Sequence, residues 1–285
     1  NAAIQGVFEP GSVFKPFTMS AALDTKVLSP STAYIDEGEV KIGGYTIRNF
    51  NNQAFGKRTM TEVLEKSLNT GAVFAQRSAG KDVFKNYVKA FGFGEKTGVE
   101  LPFVVAGNIL NVNSGIVINY ATASFGQGIS ATPLELISAI SAIANDGKLM
   151  RPYVVDKLIY KDGSELKTEP EAVRQAISPL AANQLTAMLV SVVRNGFDKA
   201  RIPGYFIAGK TGTAQIPDLE NGGYLDGVFI HSFVGYAPAF NSRFAILLKI
   251  DKPKGITFAA DSLSPIFKEL TEYILNYYEI PPDEK

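Results

Sequence analysis

The chain has no cysteine, no tryptophan, one histidine and no excess of either charge. Without cysteine there are no disulfides and no thiolate metal sites, which fits either side of a membrane and does not locate the protein. One histidine, His231, rules out a multi-histidine metal centre and leaves a serine–histidine triad a single candidate base. Any serine nucleophile here therefore looks first to lysine. Lys+Arg and Asp+Glu are both 28, so no overall field favours nucleic acid or an anionic membrane, and charge recognition has to be local. The first residues do not read as a signal peptide, and no run is long and apolar enough to span a bilayer. What the chain does have is length: 285 residues, 46% hydrophobic, are enough for one large core or two small ones.

The centre of the sequence is the stretch Glu9-Pro10-Gly11-Ser12-Val13-Phe14-Lys15-Pro16-Phe17. Gly11 permits a sharp turn, and the apolar run after it reads as a buried helix over 12–24. Ser12 then stands where loop becomes helix, beside unpaired first-turn N–H groups. Lys15, three positions on, lies on the same face one turn up. A serine with an amine in reach and free N–H donors beside it has the parts of an acylating nucleophile; it could equally be a plain helix cap. A second serine–lysine pair, Ser78 and Lys81, runs into the helix stop Gly80 and lacks that setting.

Two further clusters carry polar chemistry. Ser67-Leu68-Asn69 follows a short helix opened by the capping box Thr59-Met60-Thr61-Glu62; it either turns a hydroxyl and an amide into one cleft or closes the helix. Lys210-Thr211-Gly212-Thr213 lies in a strand-like run, 205–215. There a cation and two hydroxyls suit a peptide's terminal carboxylate, or the lysine guards an edge strand. The look-alike Lys96-Thr97-Gly98 sits among turn glycines with no strand before it.

Between these clusters the reading predicts helices at about 70–79 and 81–91. A second capping box at Thr132-Pro133-Leu134-Glu135 opens another helix, and Ser178-Pro179 and Ser264-Pro265 each start one more. Strands are expected at 153–158, 205–215, 229–236 and 244–250. The fold class is α+β: one domain over 1–285, with a helix-rich lobe at about 25–150 and an antiparallel-sheet lobe at about 151–285.

Ser-x-x-Lys at a helix start, Ser-x-Asn after a helix and Lys-Thr-Gly on a strand, in that order, form the motif set of penicillin-binding proteins and class A β-lactamases. With Phe91-Gly92-Phe93-Gly94, Gly126-Gln127-Gly128, Ile207–Gln215, Ser232–Pro238 and Ile280-Pro281-Pro282, the chain resembles, nearly end to end, the transpeptidase domain of class B penicillin-binding proteins. The resemblance implies a five-stranded antiparallel sheet covered by helices, and acyl transfer on stem peptides ending in D-Ala-D-Ala, inhibited by β-lactams. It makes Ser12 the nucleophile and Lys15 the base, kept partly neutral by a catalytic Lys210 and by burial. Ser67 becomes the proton relay, and Asn69 a support for Lys15 and the substrate amide. Lys210, Thr211, Gly212 and Thr213 become the carboxylate-binding strand, and the N–H groups of Ser12 and Thr213 the oxyanion hole. No cofactor or metal is implied.

The family carries two sheet strands, a membrane anchor and a further domain before the nucleophile. Only eleven residues precede Ser12 here, so the chain is expected to lack its N-terminal strands. Asn69 resembles the septal-division members, which implies a lipid-linked glycan polymerase and division proteins as partners and an extracytoplasmic, cell-envelope location. Two readings compete: a serine β-lactamase or β-lactam sensor, and an inactive division scaffold. Against the hydrolase, no motif supplies a base for water, tryptophan is absent, and Leu68 replaces the aspartate of the class A middle motif.

Overall fold

The computed structural model describes residues 1–196, 198–218 and 220–284. A short helix, α1 (Ala2–Gln5), precedes a 3₁₀ turn at Gly11–Phe14 that runs into α2 (Lys15–Asp24). Strands β1 (Ala33–Asp36), β2 (Glu39–Ile42), β3 (Tyr45–Arg48) and β4 (Gly56–Thr59) form two small antiparallel pairs, β1 with β4 and β2 with β3. Helices α3 (Met60–Glu65), α4 (Asn69–Ala79), α5 (Lys81–Ala90), α6 (Val117–Ala123) and α7 (Pro133–Ala144) follow. Both expected capping boxes are formed, at Thr59/Glu62 and Thr132/Glu135, because the side chains that satisfy the orphan N–H groups lie three residues apart.

Of the expected strand at 153–158 only residues 157 and 158 lie in one, and 153–156 are irregular. Instead β5 (Lys148–Met150) pairs with β8 (Ala172–Gln175), and β6 (Lys157–Ile159) with β7 (Glu165–Lys167) in an exposed hairpin. Alternation in 153–155 finds no partner strand, and a strand needs a ladder as well as a pattern. After α8 (Pro179–Ser191) come β9 (Ala208–Pro217), β10 (Tyr224–Ala237) and β11 (Phe244–Asp251), then α9 (Ala259–Ser262) and α10 (Ser264–Tyr277).

The main sheet has the order β11-β10-β9, all antiparallel. Its two faces follow the period of two: Val234, Tyr236 and Leu247 join the large core with α2, α7 and α8, while Phe233, Ile246 and Leu248 join the cluster under α10. The large core takes residues from Phe8 to Ala239, so it draws on both sides of residue 150. Among the described residues the sheet has three strands rather than five, and β9 and β11 are its edges. No helix of the described residues is long and apolar enough to cross a membrane.

Candidate active site

The three sequence clusters meet in a cleft of about 740 Å³ lined by Ser12, Ser67, Asn69, Thr211 and Thr213. Its position follows from the packing of the 3₁₀ turn against β9. At Gly212 an added Cβ would lie 2.9 Å from Val13 Cγ1 and 3.1 Å from the Pro10 carbonyl oxygen, so only glycine lets the strand approach the turn. Gly11 has φ +58°, and Gly126 closes over it from behind, its carbonyl oxygen accepting from the Gly11 N–H at 3.0 Å. Ser12 thus opens a helix whose later residues, Val13, Phe14 and Phe17, are buried.

Lys15 is 1% exposed, and its Nζ donates to the Ser67 carbonyl (2.5 Å) and the Ser67 hydroxyl (3.1 Å). Lys210, 0% exposed, donates to the same hydroxyl (3.0 Å) and to the Thr211 carbonyl (3.1 Å). Two amines therefore share one hydroxyl. Burial pushes the Lys15 amine well below its ordinary range, and the nearby Lys210 charge pushes it further; burial brings Lys210 down to about 7. A lysine whose amine is pushed toward its neutral form can accept a proton, whereas an exposed, fully charged one cannot.

Three placements differ from the sequence expectation. Lys210 is fully buried and not itself a lining residue: its Nζ reaches the cleft through the Ser67 hydroxyl, while Thr211 and Thr213 line the opening. Gly212 is buried against the nucleophile turn and is a packing residue. Asn69 donates its side-chain amide to the Arg48 carbonyl at 2.9 Å, while the described bonds of Lys15 go to Ser67. Ser67 itself adopts φ +56°, a left-handed conformation unusual for serine, which brings its hydroxyl back toward both lysines. Thr213 accepts from the Ala259 N–H (3.1 Å), which ties the start of α9, and with it the loop before it, to the strand.

The look-alikes stay outside. Ser78 is exposed near the end of α4, and Lys96 is exposed in an irregular segment. His231 does not line the cleft; its ring is pushed down in pKa by burial and bonds to Ser262 Oγ (2.8 Å) and the Thr257 carbonyl (3.1 Å), anchoring that same loop.

Sequence reasoning missed three features. Glu9 accepts from the Gly128 N–H (2.9 Å) and the Tyr224 hydroxyl (3.0 Å), joining the nucleophile turn to the far end of β10; burial raises its carboxyl. Phe50 and Phe258 meet edge to face at 5.0 Å and both line the cleft. Among the described lining residues Arg48 and Lys66 supply positive charge, and there is no aspartate or glutamate. No short-range pattern announces any of these.

Comparison with known proteins fits this geometry. The family model described as penicillin binding protein transpeptidase domain matches residues 1–272. Stage V sporulation protein D of Bacillus subtilis is 35% identical over 271 residues, covering 93% of this chain and 42% of that protein. The peptidoglycan D,D-transpeptidase FtsI of Buchnera aphidicola is 30% identical over 288 residues, covering 99% and 48%. The crystal structure of penicillin binding protein 3 from Mycobacterium tuberculosis complexed with ampicillin superposes with a TM-score of 0.93 at 30% identity, covering 100% of this chain and 65% of that one. The chain thus spans less than half the length of these curated relatives.

Proposed function

Because the chain belongs to the transpeptidase domains of class B penicillin-binding proteins, we propose that it cross-links peptidoglycan stem peptides as a serine D,D-transpeptidase. The observation that carries this reading is the shared hydroxyl: Ser67 Oγ stands between Lys15 and Lys210, in the cleft that Ser12 opens onto. Ser12 Oγ attacks the carbonyl carbon between the two terminal D-alanines and gives its proton to neutral Lys15. The oxygen of the tetrahedral intermediate is held by first-turn N–H of Ser12 and by the N–H of Thr213, each typically worth about 3 kcal/mol. When the C–N bond breaks, the proton travels from Lys15 through Ser67 Oγ to the departing D-alanine amine. The amine of a second stem peptide then attacks the ester, its proton returns by the same relay, and Ser12 is released.

The terminal carboxylate of the donor peptide rests against Thr211 and Thr213, with Arg48 and Lys66 adding positive charge to a cleft without described carboxylates. Asn69, tethered through Arg48, keeps its carbonyl oxygen for the substrate amide. The edge strand β9 pairs with β10 on one side only, so alternate backbone groups are open to an extended peptide. Among the described lining residues there is no carboxylate to drive water onto the ester, and an amine is intrinsically the better nucleophile, so this reading favours transfer over hydrolysis. Peptidoglycan as substrate sets the site of action outside the cytoplasm. Asn69 in the middle motif further favours a septal role, alongside a glycan polymerase.

The test is intact-mass spectrometry after treatment with penicillin. A one-to-one adduct on Ser12, absent in Ser12→Ala and persisting for hours once free drug is removed, is expected. Loss of the adduct within seconds, with hydrolysed drug accumulating, overturns the transpeptidase in favour of a β-lactamase; no adduct at all leaves an inactive scaffold.

A further inference from the structure

Behind the wall that carries Ser67 and Asn69 lies a polar cluster to which no motif points. Asp36, the last residue of β1, is 2% exposed, and among the described residues no lysine or arginine is within ion-pair distance of it. Its Oδ1 accepts from the Thr70 hydroxyl (2.6 Å), Asn49 Nδ2 (2.9 Å) and the Gly38 N–H (3.2 Å). Its Oδ2 accepts from the Phe55 N–H (2.9 Å) and again from Asn49 Nδ2 (3.0 Å). Asn49 Oδ1 in turn accepts the Thr70 N–H (3.2 Å), and the Tyr34 and Thr70 hydroxyls are 3.2 Å apart.

A carboxylate removed from water at this depth is costly unless its lone pairs are met, and these four donor groups meet them. The donors come from three separate segments, at 36–38, 49–55 and 70. Their positions relate the cluster to the site. Thr70 directly follows Asn69, and Asn49 directly follows Arg48, whose carbonyl holds the Asn69 side chain. The carboxylate therefore lies one residue behind both ends of that tie. Close packing completes the clamp: a Cβ at Gly71 would fall 2.4 Å from Val63 Cγ2 and 2.9 Å from the Tyr34 hydroxyl. Ser67, at φ +56° between α3 and α4, is a conformation that surroundings must hold. Asp36 itself does not line the cleft, whereas Asn49 does.

We propose that Asp36 is a positioning residue for acylation, fixing Asn49 and Thr70 and through them the turn that presents Ser67 Oγ to Lys15 and Lys210. The proposal rests on the transpeptidase reading, since it needs Ser67 to carry a proton. It predicts a particular kinetic pattern. Asp36→Asn turns one acceptor oxygen into an NH₂ facing the NH₂ of Asn49, and Thr70→Val removes the shortest bond while keeping volume and the N–H. In both variants the first-order acylation constant with a fluorescent penicillin should fall about 10²-fold, the cost of displacing a relay by an ångström. The dissociation constant of the non-covalent complex should stay within about twofold, and labelling should still reach one adduct per chain. A merely structural role would instead lower the labelled fraction and leave the rate of the folded fraction alone. The exchange Asp36→Asn with Asn49→Asp, which restores a carboxylate opposite an amide, should recover much of the rate. Wild-type acylation constants in folded Asp36→Asn or Thr70→Val, or an exchange variant no faster than Asp36→Asn, overturn the proposal. If Asp36→Asn does not fold, Thr70→Val decides. Wild-type protein that takes no label overturns the transpeptidase reading, and this one with it.

Discussion

Gly126→Ala tests how tightly the nucleophile turn is held. The new Cβ would lie 2.2 Å from the Gly11 carbonyl oxygen and 2.6 Å from the Gly11 nitrogen, against about 3.4 Å for ordinary contact. Both neighbours are backbone, so relief requires the two segments to part by about 1 Å, breaking the Gly11 N–H bond to the Gly126 carbonyl. Gly11 carries Ser12 with it. A displacement of that size between reacting atoms costs about 10²-fold in rate. Residue 126 also has φ +79°, which costs a residue with a Cβ about 1–2 kcal/mol, or a fall of several degrees in Tm for a chain of this length.

The two effects separate with a control. Gly163, in the β6–β7 turn and not among the cleft's lining residues, has φ +85° and open space around its Cβ position. Gly163→Ala should lose comparable Tm and acylate at the wild-type rate. Stopped-flow acylation by a chromogenic β-lactam, alongside thermal melts, reads both quantities. A folded Gly126→Ala that acylates within about twofold of wild type, or a Gly163→Ala that loses as much rate, would falsify the reasoning.

Lys15→Arg keeps the charge but cannot deprotonate, so acylation should drop by about 10²–10⁴-fold; a near wild-type rate would make Lys15 purely electrostatic. Lys210→Met removes the charge that depresses Lys15 while its burial remains, so the acid limb of the acylation pH profile should move to higher pH; an unmoved limb refutes the coupling. The same variant tests linkage: a Lys210 pKa of about 7, below its ordinary 10.5, means the folded state binds fewer protons than the unfolded between those values. Stability contributed by this lysine therefore rises with pH above about 7, and Tm measured from pH 7 to 9 should climb less in Lys210→Met than in wild type. Ser78→Ala and Lys96→Ala should leave labelling unchanged, and a loss in either would show that the wrong copy of the motif was assigned.

Much of the local structure was legible in the sequence. Helices α3, α7 and α8 begin at Thr59, Thr132 and Ser178, where a capping side chain and its N–H partner are three residues apart. Strands β9, β10 and β11 fall on their apolar runs, and Ser12, Ser67 and Thr213 share a cleft because their order and setting matched a known arrangement. The missing strand at 153–156 has the same root as these successes: short-range alternation says which face a strand would bury, and nothing about whether a partner exists.

Tertiary structure decided the rest. Lys210 reaches Ser67 across 143 residues, Thr70 reaches Asp36 across 34, and Tyr224 reaches Glu9 across 215. No window of sequence contains either end's partner. That the Lys210 amine is buried on a hydroxyl it shares with Lys15 depends on how the nucleophile turn packs against β9. The lysines' depressed pKa values depend in turn on the depth of that packing. Sequence thus determined which groups are available and where local caps start each helix. Burial and long-range contact, set only when the chain closes on itself, determined which amine is neutral, what it touches and what holds it there.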